Sequence, residues 1–384
     1  MANTKVSALT ATTTAPDSAL AYVVLDPSGT PLSRKITVKE LVGHSTAGSI
    51  DPTGTNDCAS AINSAMSALS SAGGGTLYIP AGTFKVGSTL SIYQNVSVRG
   101  AGRDATILKS SAATAMWSCT NTNFPAYYHE DMFTNIAFDG NATGTTGIDM
   151  TIIAWFSMRG VRIGDFTSYL MDLQGPVTCS FKDIHFGDDG SGGGGTTPTG
   201  IRMRGATVSG QANAIQPNHN LFEKCVFSNN TTWAVDIDHG ANNFFHGCDF
   251  EFNGTNANDS TGIINVTNPC PNGEGPSITL RNCWFEANKG YAALKHGAPV
   301  AHDAYVRVDD TVCNFNNFSG TALKYGIYMD GSGNRNRLVT TASKIGSSSV
   351  NDVYLSGAGA YWTRIDTVCD SESHASGNYS NTSA

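Results

Sequence analysis

The sequence predicts an all-β fold, a parallel β-solenoid whose short strands stack coil upon coil, and three observations carry that prediction. The first is a six-residue pattern that recurs without being copied: apolar, any residue, a turn-tolerant residue, Ile/Val/Cys, any residue, aromatic or aliphatic. It reads Phe133-Thr-Asn-Ile136-Ala-Phe138, Met158-Arg-Gly-Val161-Arg-Ile163, Phe181-Lys-Asp-Ile184-His-Phe186, Phe222-Glu-Lys-Cys225-Val-Phe227, Phe245-His-Gly-Cys248-Asp-Phe250 and Leu280-Arg-Asn-Cys283-Trp-Phe285. The fourth positions fall 25, 23, 41, 23 and 35 residues apart, so a unit of 23 to 25 residues is stretched twice by insertions. The second is an apolar-X-apolar triplet that follows the pattern in each repeat. The third is punctuation by Asn and Gly between runs rich in β-branched and aromatic residues. One short strand cannot bury its apolar face alone; stacked on its copy from the next coil, it can. Apolar residues three apart also suit a helix, but the short spans and residue types favour strands.

In chain order, residues 1–45 are rich in Ala, Thr and Ser, with strand-like words at Ala21-Tyr-Val-Val-Leu25 and Lys35-Ile-Thr-Val38. Residues 46–116 contain a helix followed by the first coils. In the run from Cys58 to Ser71, Cys58, Ile62, Met66 and Leu69 share one helical face, Asp57 is placed to cap the start, and Gly73 to Gly75 stop it. Such a helix covers the open end of a solenoid, which otherwise exposes a row of unpaired backbone groups. The strand words Thr76-Leu-Tyr-Ile-Pro80, Gly82-Thr-Phe-Lys-Val86, Leu90-Ser-Ile92 and Val96-Ser-Val-Arg-Gly-Ala-Gly102 come next. The repeats occupy 117–370, with protruding loops expected at Gly187–Gly195 and Asn253–Asn258, and 371–384 reads as a polar C-terminal tail.

Composition narrows the partners. Charged residues make up 14% of the 384, against roughly 25% in typical domains. With 42 glycines and abundant Ser, Thr and Asn, the surface is polar without being charged, as suits contact with sugars. A net charge of -8 argues against nucleic acid or an anionic membrane, which need a basic face. No apolar stretch is long enough for membrane insertion. The first residues lack the charged and apolar regions of a secretory signal, so synthesis in the cytoplasm is expected. The nine cysteines are odd in number and form no metal-type pairs. Cys225, Cys248 and Cys283 share one inward position, which reads as a stack of buried thiols; pairing of Cys58, Cys119, Cys179, Cys270, Cys313 and Cys369 stays open.

The triplets are Ile148-Asp149-Met150, Met171-Asp172-Leu173, Ile201-Arg202-Met203, Val235-Asp236-Ile237, Ile264-Asn265-Val266, Ile327-Tyr328-Met329 and Val353-Tyr354-Leu355. Their central residues should point outward and stack at the spacing of parallel strands, about 4.8 Å. Asp149, Asp172, Arg202, Asp236 and Asn265 then form one column, with Arg204, Asp238 and Asp330 two residues further on and facing the same way. Asp236 and Asp238 stand about 6.6 Å apart along a strand, and Asp172 approaches across the Arg202 coil. Carboxylates in such proximity suit glycoside hydrolysis, so Asp236, Asp238 and Asp172 are the catalytic candidates. Arg202, Arg204, Asp149, Asn265 and Tyr328 are the candidates for substrate binding, the arginines through an acidic sugar or by holding one aspartate ionised. The alternating signs of Asp172, Arg202 and Asp236 equally describe a stabilising charge ladder. The four aspartates are hard oxygen ligands of the kind calcium takes, although no motif fixes a site, so no cofactor is assigned. A second carboxylate group, Asp249, Glu251 and Glu286, adjoins Trp284-Phe285 and reads by default as solvated surface acids.

Two stretches resemble known families. Asn3-Thr-Lys-Val-Ser-Ala-Leu-Thr10, followed by the Lys35-Ile-Thr-Val38 element, resembles the N-terminal segment of many bacteriophage tail proteins. That resemblance implies that residues 1–45 attach the chain to other virion proteins, that the protein belongs to the virion, and that it is a homotrimer. Residues 51 to about 110 resemble the opening of the pectate-lyase and polygalacturonase superfamily, which implies a single-stranded right-handed parallel β-helix. The polygalacturonase signature is incomplete: Gly187-Asp188-Asp189-Gly190 and Asp238-His239-Gly240 are present, but no Arg-Ile-Lys. No single Arg or Lys declares itself as the base of a lyase. The expected function is a virion spike or tail-associated protein that engages a bacterial surface polysaccharide and cleaves it by hydrolase or lyase chemistry. The alternative is a non-catalytic structural or decoration spike that uses the β-helix as a rigid scaffold; a free cellular pectinolytic enzyme fits less well.

Overall fold

The computed structural model describes residues 50–120, 131–187, 198–207, 215–254, 261–267, 277–297, 305–314, 323–330, 337–346, 351–355, 361–365 and 367–369. It adds strand backbone at Leu20–Val24, Ser33–Thr37, His44–Thr46, Ala126–Tyr127, Glu372–His374 and Asn378–Asn381. The chain is a right-handed parallel β-helix built from three parallel sheets of 11, 12 and 13 strands. Each full coil contributes one strand to each sheet. The 11-stranded sheet carries the six-residue strands, among them Thr146–Thr151, Tyr169–Gln174, Thr199–Arg204, Trp233–Asp238, Gly262–Thr267 and Ala292–Gly297, and is called the long-strand sheet below. The 13-stranded (second) sheet runs from His44–Thr46 to Asn378–Asn381, and the 12-stranded (third) sheet from Thr53–Asp57 to Val368–Cys369. Strand stacking therefore continues into the segment expected to be a polar tail. The two loops expected at the insertions lie largely outside the described residues.

The recurrent six-residue pattern is not one strand but a corner between two sheets. Phe133, Phe181 and Phe222 lie in the second sheet; Phe138, Phe186 and Phe227 lie in the third. The turn-tolerant third position bends the chain through the left-handed region, at Asn135 (φ 53°), Gly160 (63°), Asp183 (52°), Lys224 (52°), Gly247 (62°) and Asn282 (51°). Glycine adopts this conformation freely at 160 and 247, and Asn and Asp tolerate it. Lys224 pays about 1–2 kcal/mol for it. Both halves of the pattern are apolar, which is why the sequence reads as a single strand and hides the bend.

Inside the corner, stacking is literal. The rings of Phe181, Phe222 and Phe245 lie 4.7 and 4.6 Å apart and nearly parallel. Phe186, Phe227, Phe250 and Phe285 form a second stack at 4.9, 4.7 and 4.5 Å. Between the stacks, Cys225, Cys248 and Cys283 are buried free thiols that donate to the carbonyls of Phe181, Phe222 and Phe245 in the preceding coil. Burial pushes the thiols of Cys248 and Cys283 up, so they are inert small hydrophobes, as the sequence suggested. Cys58 and Cys179 are free as well; Cys270 and the Cys313 side chain lie outside the described residues.

Buried asparagines perform the same service for polar groups at the other bends. Asn230 donates to Asn253 at 2.9 Å and Asn253 to Asn288 at 3.1 Å, while Asn253 and Asn288 also donate to the carbonyls of Phe227 and Phe250. Asn220 donates to Asn243 in the same manner. Each amide satisfies backbone groups that leave the ladder where the chain turns, which is the condition for burying a bend.

The helix spans Ala59–Ser71 and packs Ala59, Ile62 and Met66 over the first coil. Cys58 is its N-cap residue, one later than expected, yet Asp57 still supplies the cap: its Oδ1 accepts from Ala59 N at 3.0 Å and from Gly87 N at 2.8 Å. The carboxylate thus ties the helix start to the neighbouring coil. Gly73 and Gly74, with φ of 101° and 120°, turn the chain out of the helix as the triple glycine predicts.

Candidate functional site

The long-strand sheet aligns the expected column. Asp149 pairs with Asp172, Asp172 with Arg202, Arg202 with Asp236, and Asp236 with Asn265. The column then continues through Lys295, Tyr328 and Tyr354. Lys295 escapes the triplet search because the inward residue after it is His296, where an apolar residue is the rule. The side chain of Asp330 lies outside those described, although its backbone pairs with Gly297.

At the upper end the geometry is a double fork. Asp172, only 6% exposed, receives Nε and Nη2 of Arg202, the former at 3.0 Å, and Nε and Nη2 of Arg204 at 3.2 and 2.9 Å. Arg202 also donates to the Tyr169 hydroxyl at 2.7 Å and lies 3.9 Å above that ring. Burial alone raises the Asp172 carboxyl, but the hydrogen bonds from Arg202 and Arg204 outweigh it and hold the group below its ordinary value. Asp149, in register on Asp172, is raised by burial and by the Asp172 charge. With both oxygens of Asp172 engaged by guanidinium groups, Asp149 and Asp172 do not assemble the oxygen shell that calcium takes. Among the described residues no group of three His, Cys, Asp or Glu is placed to hold a metal.

The middle of the column is different in kind. Asp236 is half-buried and accepts Nδ2 of Asn265 at 2.8 Å. Its carboxyl is pushed up, first by burial and then by the Asp238 charge, against the pull of the Asn265 hydrogen bond and of Arg202 and Lys295. Asp238 sits at the more solvent-exposed end of the same strand, with His239 Nδ1 3.0 Å from its Oδ1. The sheet therefore joins three of the sequence-predicted residues, Asp172, Arg202 and Arg204, into one ion cluster. It places Asp236, Asp238 and Asn265 together one coil further on, and leaves Tyr328 two coils beyond Asn265.

A second acidic group lies on the third sheet. Glu251 and Glu286 are in register, as are Asp249 and Trp284, and the Trp284 indole donates to Glu286 at 2.9 Å. Trp284 and Phe252 are 40% and 53% exposed. Burial, then the charges of Glu251 and Glu286, push the Asp249 carboxyl up to about 6. The associated stability is full below about pH 4, where Asp249 is protonated in both states, and is lost as the pH rises through about 6. Asp249→Asn is therefore expected to raise the melting temperature near pH 7, worth about 1–2 kcal/mol after allowance for solvent screening, and to change nothing near pH 4. Thermal melts of the two proteins across that range check it.

Residues 47–285 match the family model described as rhamnogalacturonase A/epimerase, pectate lyase-like. The match covers more than half of the chain, which belongs to this family. No curated protein matches the sequence significantly. Among solved structures, the A-module of a mannuronan C-5 epimerase from Azotobacter vinelandii is 17% identical, with a TM-score of 0.55 over 88% of this chain and 97% of that one. A tailspike of Acinetobacter phage vb_AbaP_AS12 is 12% identical, with a TM-score of 0.60 over 88% of this chain and 61% of that one. A tailspike of Acinetobacter baumannii bacteriophage Fri1, described as a capsular polysaccharide depolymerase, is 13% identical, with a TM-score of 0.51 over 88% and 67%. At such identities these likenesses establish the fold.

Proposed function

We propose that the protein is a virion spike or tail-associated protein that binds a bacterial surface polysaccharide along the long-strand column and cleaves it beside Asp236. The observation that carries this reading is the contrast within one column. Asp172 is fixed as a carboxylate by two arginines, whereas Asp236, one coil beyond Arg202, has its carboxyl raised by burial. A carboxyl raised by burial is suited to hold a proton for a leaving oxygen, while the ionised carboxylate elsewhere in the column keeps two arginines in place. Asp236 then gives its proton to the leaving glycosidic oxygen, and Asp238 accepts a proton from the attacking water, whose oxygen bonds to the anomeric carbon. Asn265 orients the Asp236 carboxyl. Asp172 acts as a positioning residue that aims Arg202 and Arg204. The tailspike likenesses and the N-terminal resemblance support a place in the virion, with residues 1–45 as the attachment segment and a homotrimer as the assembly.

The test is incubation of the purified protein with capsule and lipopolysaccharide from candidate hosts, read by size-exclusion chromatography and mass spectrometry. Defined oligosaccharides are expected, each carrying one added water, and Asp236→Asn should lower their formation by about 10²–10⁴-fold while keeping the fold, with a melting temperature at neutral pH no lower than that of the wild type. An unsaturated end would replace hydrolysis by lyase chemistry. Binding without product would leave the non-catalytic spike, with the Asp172–Arg202–Arg204 cluster as a stabilising ladder.

A further inference from the structure

Arg202 stands between two aspartates. In the long-strand sheet it is in register with Asp172 on one side and with Asp236 on the other, each at the strand spacing of about 4.8 Å. Register alone therefore gives the guanidinium no reason to choose between them. A choice is nonetheless made: Nε and Nη2 of Arg202 engage Asp172, while Asp236 takes the Asn265 amide instead.

Tyr169 accounts for that choice. It belongs to the same strand as Asp172, Tyr169–Gln174. Its hydroxyl accepts from Nη1 of Arg202 at 2.7 Å, and the guanidinium carbon lies 3.9 Å from the centre of its ring. A charge-assisted hydrogen bond and a ring face thus act together on the Asp172 side. Regular alternation along a strand would set residues 169 and 172 on opposite faces. Leu170 and Met171 are both fully buried, however, so the alternation breaks and Tyr169 meets Arg202 beside Asp172. That break hides Tyr169 from a search for outward triplets.

What the choice decides is the state of Asp236. Guanidinium hydrogen bonds hold a carboxylate ionised, as those from Arg202 and Arg204 do to Asp172. Asp236 is faced by Arg202 and Arg204 from the preceding strand, by the Asn265 amide and then Lys295 from the following ones, and by Asp238, with His239 next to it, on its own. Burial raises its carboxyl, with help from the Asp238 charge, and Arg202 lowers it only through space. A guanidinium turned onto Asp236 would add the hydrogen bonds that now fix Asp172, and the proton would be lost.

We propose that Tyr169 is a positioning residue: it latches Arg202 against Asp172 and so keeps the guanidinium from pairing with Asp236. The latch leaves Asp236 able to carry a proton to the leaving oxygen. This inference rests on the reading of Asp236 as the acid and adds the residue that protects it, and its test needs no glycan.

The test follows protonation of Asp236 in the full-length protein by infrared difference spectra over a pH titration, its carboxyl band being the one missing in Asp236→Asn. In Tyr169→Leu, which removes hydroxyl and ring together, Arg202 is expected to turn to Asp236 and to move the midpoint of that band to lower pH by about 1 unit, the low end for a cation brought beside a carboxylate. Tyr169→Phe keeps the ring and should move it the same way by less; it carries the test if the leucine variant does not fold. Adding Arg202→Met to Tyr169→Leu should return the midpoint to the wild-type value or above, which a merely structural role of Tyr169 would not do. A midpoint that stays in place in the Tyr169 variants, or a shift that persists once Arg202→Met is added, overturns the latch. The expected shifts in a protein that cleaves no polysaccharide would remove the proposed function and leave the latch standing.

Discussion

Phe227→Ala is expected to destabilise the protein by about 3–5 kcal/mol, the range for deleting a buried aromatic ring. Phe227 is fully buried between two parallel neighbours, Phe186 at 4.9 Å and Phe250 at 4.7 Å. A truncation leaves a cavity that neither ring can fill, because each is itself fixed by the next coil, Phe250 by Phe285 at 4.5 Å. In a solenoid each coil is stabilised mainly by its two neighbours, so the loss should appear as a weakened block of coils rather than a uniform shift. Phe227→Leu keeps much of the apolar volume and should cost clearly less. Denaturant unfolding with hydrogen exchange reads both effects, and a cost below about 1 kcal/mol for the alanine variant would contradict the stacked core.

Asp172→Ala is expected to cost about 2–3 kcal/mol at neutral pH. The carboxylate is the shared partner of Arg202 and Arg204, so its removal leaves two guanidinium groups together without it. Breaking a buried pair costs more than the pair contributes, and the value is set below the fully buried range because both arginines keep partial contact with water. The pH dependence has a definite sign. Hydrogen bonds from the arginines hold the folded carboxyl below the ordinary value of about 3.9, so the contribution is present above about pH 4 and is lost as the pH falls through the lower folded value. The difference between wild type and Asp172→Ala should therefore shrink on acidification below pH 4. Cleavage should fall as well, because Arg202 loses the carboxylate that fixes its position between Asp172 and Asp236.

Much of the scaffold is written locally. The recurrence of Phe222-Glu-Lys-Cys225-Val-Phe227 in the next coil dictates strands that stack in parallel, since each apolar face finds cover only on its copy. The triplets placed Asp149, Asp172, Arg202, Asp236 and Asn265 in one column, and the register is as expected. The bend inside the six-residue pattern was not legible, because Lys224 gives no hint of a left-handed conformation that a corner between two sheets imposes on it. Lys295 was missed for a related reason: the buried His296 interrupts an apolar alternation that the fold nonetheless maintains.

The sequence by itself determined the coil repeat, the capping helix, the stacked thiols and the outward column, because all of these follow from side-chain size and polarity at fixed spacing. Only the tertiary structure decided which carboxyl groups are neutralised and which are raised. Arg204 reaches back to Asp172 rather than standing apart, burial lifts Asp236, and Lys324 joins Lys295 at one tyrosine ring from the next coil. Those outcomes depend on distance and local solvent access across coils some 30 residues apart in sequence, and neither quantity is encoded in the spacing of residues along one strand.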